Sequence, residues 1–220
     1  MPDLGGNVLY CRDLVARLSD GISPCALPLT DQVLGRLETI TIEELAEIFA
    51  AMLCERFPEG EIHLAGFSFA GILAFETARA LEKSNRPVSH VWLFDTRAHR
   101  LHMPSVVRQA PLRELKSFVS YFTKRLVERN LNDDGTVLHS YRLLTLDLNE
   151  RPKAYWPIIR SMHRALSSYR PKPVLDMPLT LFRAKEAAGQ PIRPDFLGWD
   201  RLTRGSATVI SVEADHMSIM

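Results

Sequence analysis

The sequence predicts an α/β fold, a mostly parallel sheet with flanking helices and a helical insertion. Three observations lead there. Helical and strand patterns alternate between residues 39 and 95; strand patterns return at 177–184 and 206–212; and the stretch between reads as helix. Alternation of this kind is what parallel strands joined by crossover helices require.

Each element has its own signal. Residues 7–18 carry Val8, Cys11, Leu14, Val15 and Leu18 at helical spacing, and 24–29 has room only for a short strand. The helix predicted over 39–57 is stronger. Thr41 can cap it with Glu44 three positions on, Leu45, Ile48, Phe49, Met52 and Leu53 form its apolar stripe, and Pro58 stops it. A strand at 61–66, a helix at 71–83, a turn at 85–87 and an apolar strand at 88–95 follow. Three helices are expected next, over 111–130, 136–148 and 153–168, before the strands at 177–184 and 206–212.

At 220 residues, the chain can bury a sizeable core. Its 27 basic and 26 acidic residues, net charge +1, give no electrostatic case for nucleic acid or an anionic membrane, because affinity there rests on clustered positive charge. The three cysteines, Cys11, Cys25 and Cys54, show neither a paired framework nor metal-ligand spacing. The opening MPDLGGNVLY lacks the features of a signal peptide, and no window approaches the roughly 20 apolar residues of a membrane span. Together these readings predict a cytoplasmic protein without metal or bound cofactor.

The stretch HLAGFSFAGILAFE, residues 63–76, carries the chemistry. An apolar strand turns at once into a helix, which demands a tight backbone, and Gly66, Ala70 and Gly71 are the small residues that allow it. The corner projects Ser68. The amide of Phe69 behind it opens a helix and has no intrahelical partner, so it can face developing negative charge. Ala70 stands where the G-x-S-x-G pattern usually has glycine, and its cost depends on the backbone angle there. Asp95 ends the next predicted strand and His216 follows the last. Each has a purely structural reading: a helix-capping serine, a turn-capping aspartate, a polar histidine near the terminus. Their order, Ser–Asp–His at strand ends along one crevice, is that of the α/β-hydrolase triad and favours chemistry.

With these motifs in place, the chain resembles the thioesterase domain that ends many polyketide synthases and nonribosomal peptide synthetases. GFSFAGILAFETARAL is similar to the family's serine segment, and VWLFDT to its aspartate strand, with Asp95 standing 27 positions after Ser68. LSSYRPKPVLDMPLTLFRA is similar to its exit from the lid, LGWDRLTRGSATVISVEADHMSIM to its G-W and histidine segments, and GGNVLYCRDLVARL to its start. The resemblance implies one α/β-hydrolase domain over 1–220, with a helical lid about 103–175. It implies Ser68 as acylated nucleophile, His216 as general base then acid, Asp95 as its orienting partner, and the backbone amides of Phe69 and Leu4 as oxyanion donors. It also implies an acyl thioester substrate, delivered on the phosphopantetheine arm of an acyl or peptidyl carrier protein and released by hydrolysis or cyclisation.

Two departures stand out. Pro2–Asp3 occupies the place of the family's His–Pro, with no strand before it, and the sequence stops four residues after His216, where the family continues into a helix. The expectation is a domain cut at both ends, marginally stable and weakly active or inactive. Two other readings fit the same residues. One is a generic α/β-hydrolase esterase. The other is a silent module that binds a carrier protein through its lid, using the apolar face of Phe118, Tyr121, Phe122 and Leu126.

Overall fold

A computed structural model describes residues 1–6, 8–98, 152–172, 176–185, 196–199, 202–214, 216 and 218–220, with 152–156 described by backbone alone. The chain divides into two compact units, Met1–Arg100 with Pro157–Met220, and Leu101–Trp156. The helices expected over 111–130 and 136–148, the apolar face at Phe118, Tyr121, Phe122 and Leu126, and most of the predicted lid lie outside the described residues.

In the first unit, β1 (His63–Phe67), β2 (His90–Phe94), β3 (Leu179–Ala184) and β4 (Ala207–Val212) form a parallel sheet in the order β1-β2-β3-β4. The register pairs Phe67 with Phe94, Phe94 with Phe182, and Ala184 with Val212, which aligns the carboxyl ends of all four strands. Parallel strands need crossovers. Between β1 and β2 that crossover is α4 (Phe69–Lys83), which follows β1 after a single residue.

Helix α3 (Ile42–Arg56) begins as its sequence dictates. The Thr41 hydroxyl accepts from the Glu44 amide at 3.1 Å, and the Glu44 carboxylate accepts from the Thr41 amide at 2.9 Å. Those bonds, led by the one from the Thr41 amide, hold the Glu44 carboxyl below its ordinary value. Its stripe of Leu45, Phe49 and Leu53 is buried, with Ile48 and Met52 packed beside it. Helix α3 packs on α4, and α4 packs on β1 and β2. The core therefore lies on the face of the sheet that presents Leu64, Val91, Leu93, Leu179 and Leu181.

The opposite face carries an aromatic ladder. His90 stacks on Trp92 at 4.0 Å between ring centroids, Trp92 lies 6.1 Å from Phe182, and Phe182 stacks on Phe94 at 4.7 Å. Ile210, on the same face of β4, is 42% exposed.

The sequence overstated the start of the chain. In place of a helix over 7–18 there is a 3-10 turn, Leu9–Cys11, and a one-turn helix, α1 (Arg12–Val15); the 24–29 segment forms no strand, and α2 (Asp31–Leu34) is again one turn. The reason is burial. The turn and α1 bury no residue, Val15 and Leu18 are exposed, and an apolar stripe that is not buried cannot sustain a helix. The remaining helix, α5 (Pro152–Ser168), matches expectation, and its second half joins the core through Met162, Ala165 and Leu166. Among the described residues no helix is long and apolar enough to cross a membrane.

Candidate active site

The junction between β1 and α4 is built by close approach. A Cβ on Gly66 would lie 2.2 Å from the Ala70 carbonyl oxygen, and one on Gly71 would lie 2.0 Å from the Thr96 hydroxyl oxygen. Only glycine fits either place. Between them Ser68 takes φ 53° and ψ −119°, a conformation that costs a non-glycine residue about 1–3 kcal/mol. The sheet holds it there: the Ser68 amide donates to the Phe94 carbonyl at 2.9 Å, extending the β1–β2 ladder past its last pair. Ala70 needs no such conformation. It is an ordinary helical residue in α4, fully buried, which is why alanine replaces the usual glycine there.

Asp95 stands one residue past β2 and is also left-handed, at φ 41°. Its amide donates to the Phe182 carbonyl at 2.7 Å, and its Oδ1 accepts the Ala184 amide at 3.2 Å. Both partners belong to β3, so strand register sets the carboxylate's position. Thr96 fastens the other side. Its hydroxyl donates to the Phe94 carbonyl at 3.2 Å, and its carbonyl accepts the indole N–H of Trp199 at 2.8 Å. Trp199 is fully buried against Phe75 of α4.

His216 follows β4 and reaches both residues. Its Nδ1 lies 2.6 Å from Oδ2 of Asp95, and its Nε2 lies 3.2 Å from Oγ of Ser68. An ionised carboxylate only accepts, so Nδ1 carries the proton and donates to Asp95. That tautomer leaves the Nε2 lone pair facing the serine hydroxyl. The Asp95 residue is 2% exposed, so its charge acts where water screens little.

Three of the five residues singled out in the sequence thus meet in one hydrogen-bonded line. Phe69 opens α4 directly behind Ser68, where its amide lacks an i−4 carbonyl partner. Leu4 sits in a tight turn: Gly6 donates to the Asp3 carbonyl and Gly5 to the Asp3 carboxylate, both at 2.9 Å, with the Leu4 side chain against the core. Sequence reasoning missed what supports Asp95. The Ala184 amide has no sequence signal, because only strand register brings it near. Thr96 and Trp199 did have one, a small hydroxyl residue beside the aspartate and the tryptophan of the G-W pair in LGWDRL. Among the described residues, no group of three or more His, Cys, Asp or Glu could hold a metal ion.

The chain is 28% identical over 193 residues to a non-reducing polyketide synthase of an Arthrinium species, a match that covers 83% of this chain and 9% of that one. Over 95 residues it is 32% identical to the N-(5-amino-5-carboxypentanoyl)-L-cysteinyl-D-valine synthase of Penicillium rubens, covering 43% of this chain and 2% of that synthase. It therefore spans only a small part of these relatives. Among solved structures it is similar to RedJ, the thioesterase from the prodiginine biosynthetic pathway in Streptomyces coelicolor. That match has a TM-score of 0.70 and 26% identity, covering 98% of this chain and 76% of RedJ. The thioesterase fold is the α/β-hydrolase fold, in agreement with the parallel sheet and flanking helices. The thioesterase domain model matches residues 1–220, and the chain belongs to that family.

Proposed function

We propose that this chain is a serine thioesterase, which releases an acyl chain from the phosphopantetheine thioester of a carrier protein through an acyl-serine intermediate. The hydrogen-bonded line from Asp95 through His216 to Ser68, in a member of the thioesterase domain family, carries the reading. The similarity to a polyketide synthase and to a prodiginine-pathway thioesterase supports an assembly-line product as the acyl group.

In this mechanism Nε2 of His216 takes the proton of Ser68 as Oγ attacks the thioester carbonyl. The developing oxyanion is stabilised by the amides of Phe69 and Leu4. The C–S bond then breaks, and the imidazolium returns its proton to the departing pantetheine sulfur. Water, or a nucleophile within the acyl chain itself, next gives a proton to His216 and attacks the acyl-serine carbonyl. The ester bond to Oγ breaks, Ser68 recovers its proton, and a free acid or a ring is released. Asp95 stays ionised throughout and stabilises the imidazolium. No metal or cofactor enters any step; the pantetheine arm belongs to the substrate.

The test is covalent. Ser68→Ala should abolish labelling by a fluorophosphonate and turnover of an acyl-pantetheine thioester, with an unchanged circular dichroism spectrum. Equal labelling of both proteins would remove Ser68 from the mechanism. Higher kcat/KM for oxygen esters than for pantetheine thioesters would favour a general esterase instead.

A further inference from the structure

We propose that Phe67, the residue just before the serine, is a positioning residue for His216, holding the imidazole by its face as it takes up the serine proton. The proposal rests on the serine-hydrolase reading above. The ring centroids of Phe67 and His216 lie 4.7 Å apart with 34° between their planes. Phe67 also meets the ring of Tyr10, at 5.9 Å and 48°. Tyr10 is itself fixed, its hydroxyl donating to the Met1 carbonyl at 2.8 Å. Phe67 is 8% exposed, whereas the His216 side chain is 34% exposed and follows the last strand of the sheet.

The hydrogen bonds at Nδ1 and Nε2 hold His216 along the line between its two nitrogens. Rotation of the ring about that line disturbs neither bond much, because the Nε2 lone pair points nearly along it, so the tilt of the ring is set by its other contacts. A flat partner against the ring face restrains this rotation, and the backbone of Phe67 is locked by its pairing with Phe94.

Charge adds a second effect. When His216 takes the serine proton it becomes a cation beside an aromatic ring, and the negative face of the ring attracts it. This attraction is absent from the neutral ground state, so it lowers the barrier instead of merely tightening binding. For a partly exposed pair the effect corresponds to about 2- to 30-fold in rate. Leucine would occupy much of the same space without supplying it.

The experiment measures the second-order rate of fluorophosphonate labelling in the full chain and in Phe67→Leu, His216→Ala and the double variant, with thermal midpoints recorded for each. Phe67→Leu should label about 10-fold more slowly than the parent. The double variant should label at the rate of His216→Ala alone, because the effect of Phe67 passes through the imidazole. Parental labelling in Phe67→Leu would overturn the proposal, as would an equal loss with and without His216. Should Phe67→Leu fail to fold, Phe67→Met is judged by the same criteria. Labelling of Ser68→Ala, or parental labelling of His216→Ala, would sink the serine-hydrolase reading itself; loss in both, with Phe67→Leu unaffected, would sink only the role of Phe67.

Discussion

The hydroxyl of Tyr169, one residue beyond α5, donates a 2.7 Å hydrogen bond to Oε2 of Glu76 in the middle of α4. Both residues are buried, at 4% and 3% exposure, and Arg79 completes the cluster with contacts of 3.1 Å to each Glu76 oxygen. A carboxylate at such depth is tolerable only when paired and fully hydrogen-bonded. Burial, with the neighbouring Glu76 charge, pushes the Tyr169 phenol well above its ordinary value.

Tyr169→Phe keeps the ring and removes the donor. One lone pair of a buried carboxylate is then orphaned, and stability should fall by about 1–3 kcal/mol. Urea denaturation of the two proteins measures this, and an unchanged midpoint would refute it.

Gly66→Ala should be far worse than its single methyl suggests. The new Cβ meets backbone, the Ala70 carbonyl at 2.2 Å, which cannot rotate away as a side chain can. The elbow must open, at a cost of about 3 kcal/mol or more, and Ser68 moves with it. We expect a lowered Tm together with loss of fluorophosphonate labelling, since the same backbone shift causes both.

Asp95→Asn tests the tautomer. The Ala184 amide requires an acceptor at Oδ1, so the new side chain would turn its NH2 toward His216. The imidazole would then carry its proton on Nε2 and could not accept one from Ser68. Turnover should drop about 10⁴-fold, the loss known for the equivalent change in a serine protease. A loss under tenfold would show that the carboxylate does not set the tautomer.

Stability should decline in mild acid, with His163 contributing. Burial lowers its pKa below the reference 6.5, and its Nε2 is buried with no hydrogen-bond partner among the described residues. The unfolded chain then binds more protons than the folded one. The contribution is therefore whole above pH 6.5 and is lost as pH falls from there toward the lower folded value. Melting temperatures between pH 7.5 and 5 should fall less steeply for His163→Gln; identical slopes would exclude His163.

What the sequence alone determined were the features written in local chemistry. The box of Thr41 and Glu44 started α3, the small residues at 66, 70 and 71 marked the elbow, and apolar runs marked the four strands, since each of these acts within a few residues. Tertiary structure decided the rest. Residues 7–18 show helical spacing, but the turn and α1 formed there bury no residue, and only tertiary structure could reveal that the helix would not persist. The pairing of Asp95 with Ala184 spans 89 positions and that of His216 with Ser68 spans 148, and both depend on strand register. Spacing along the chain cannot encode them, because a one-residue slip in a parallel ladder would turn the same side chains to the opposite face.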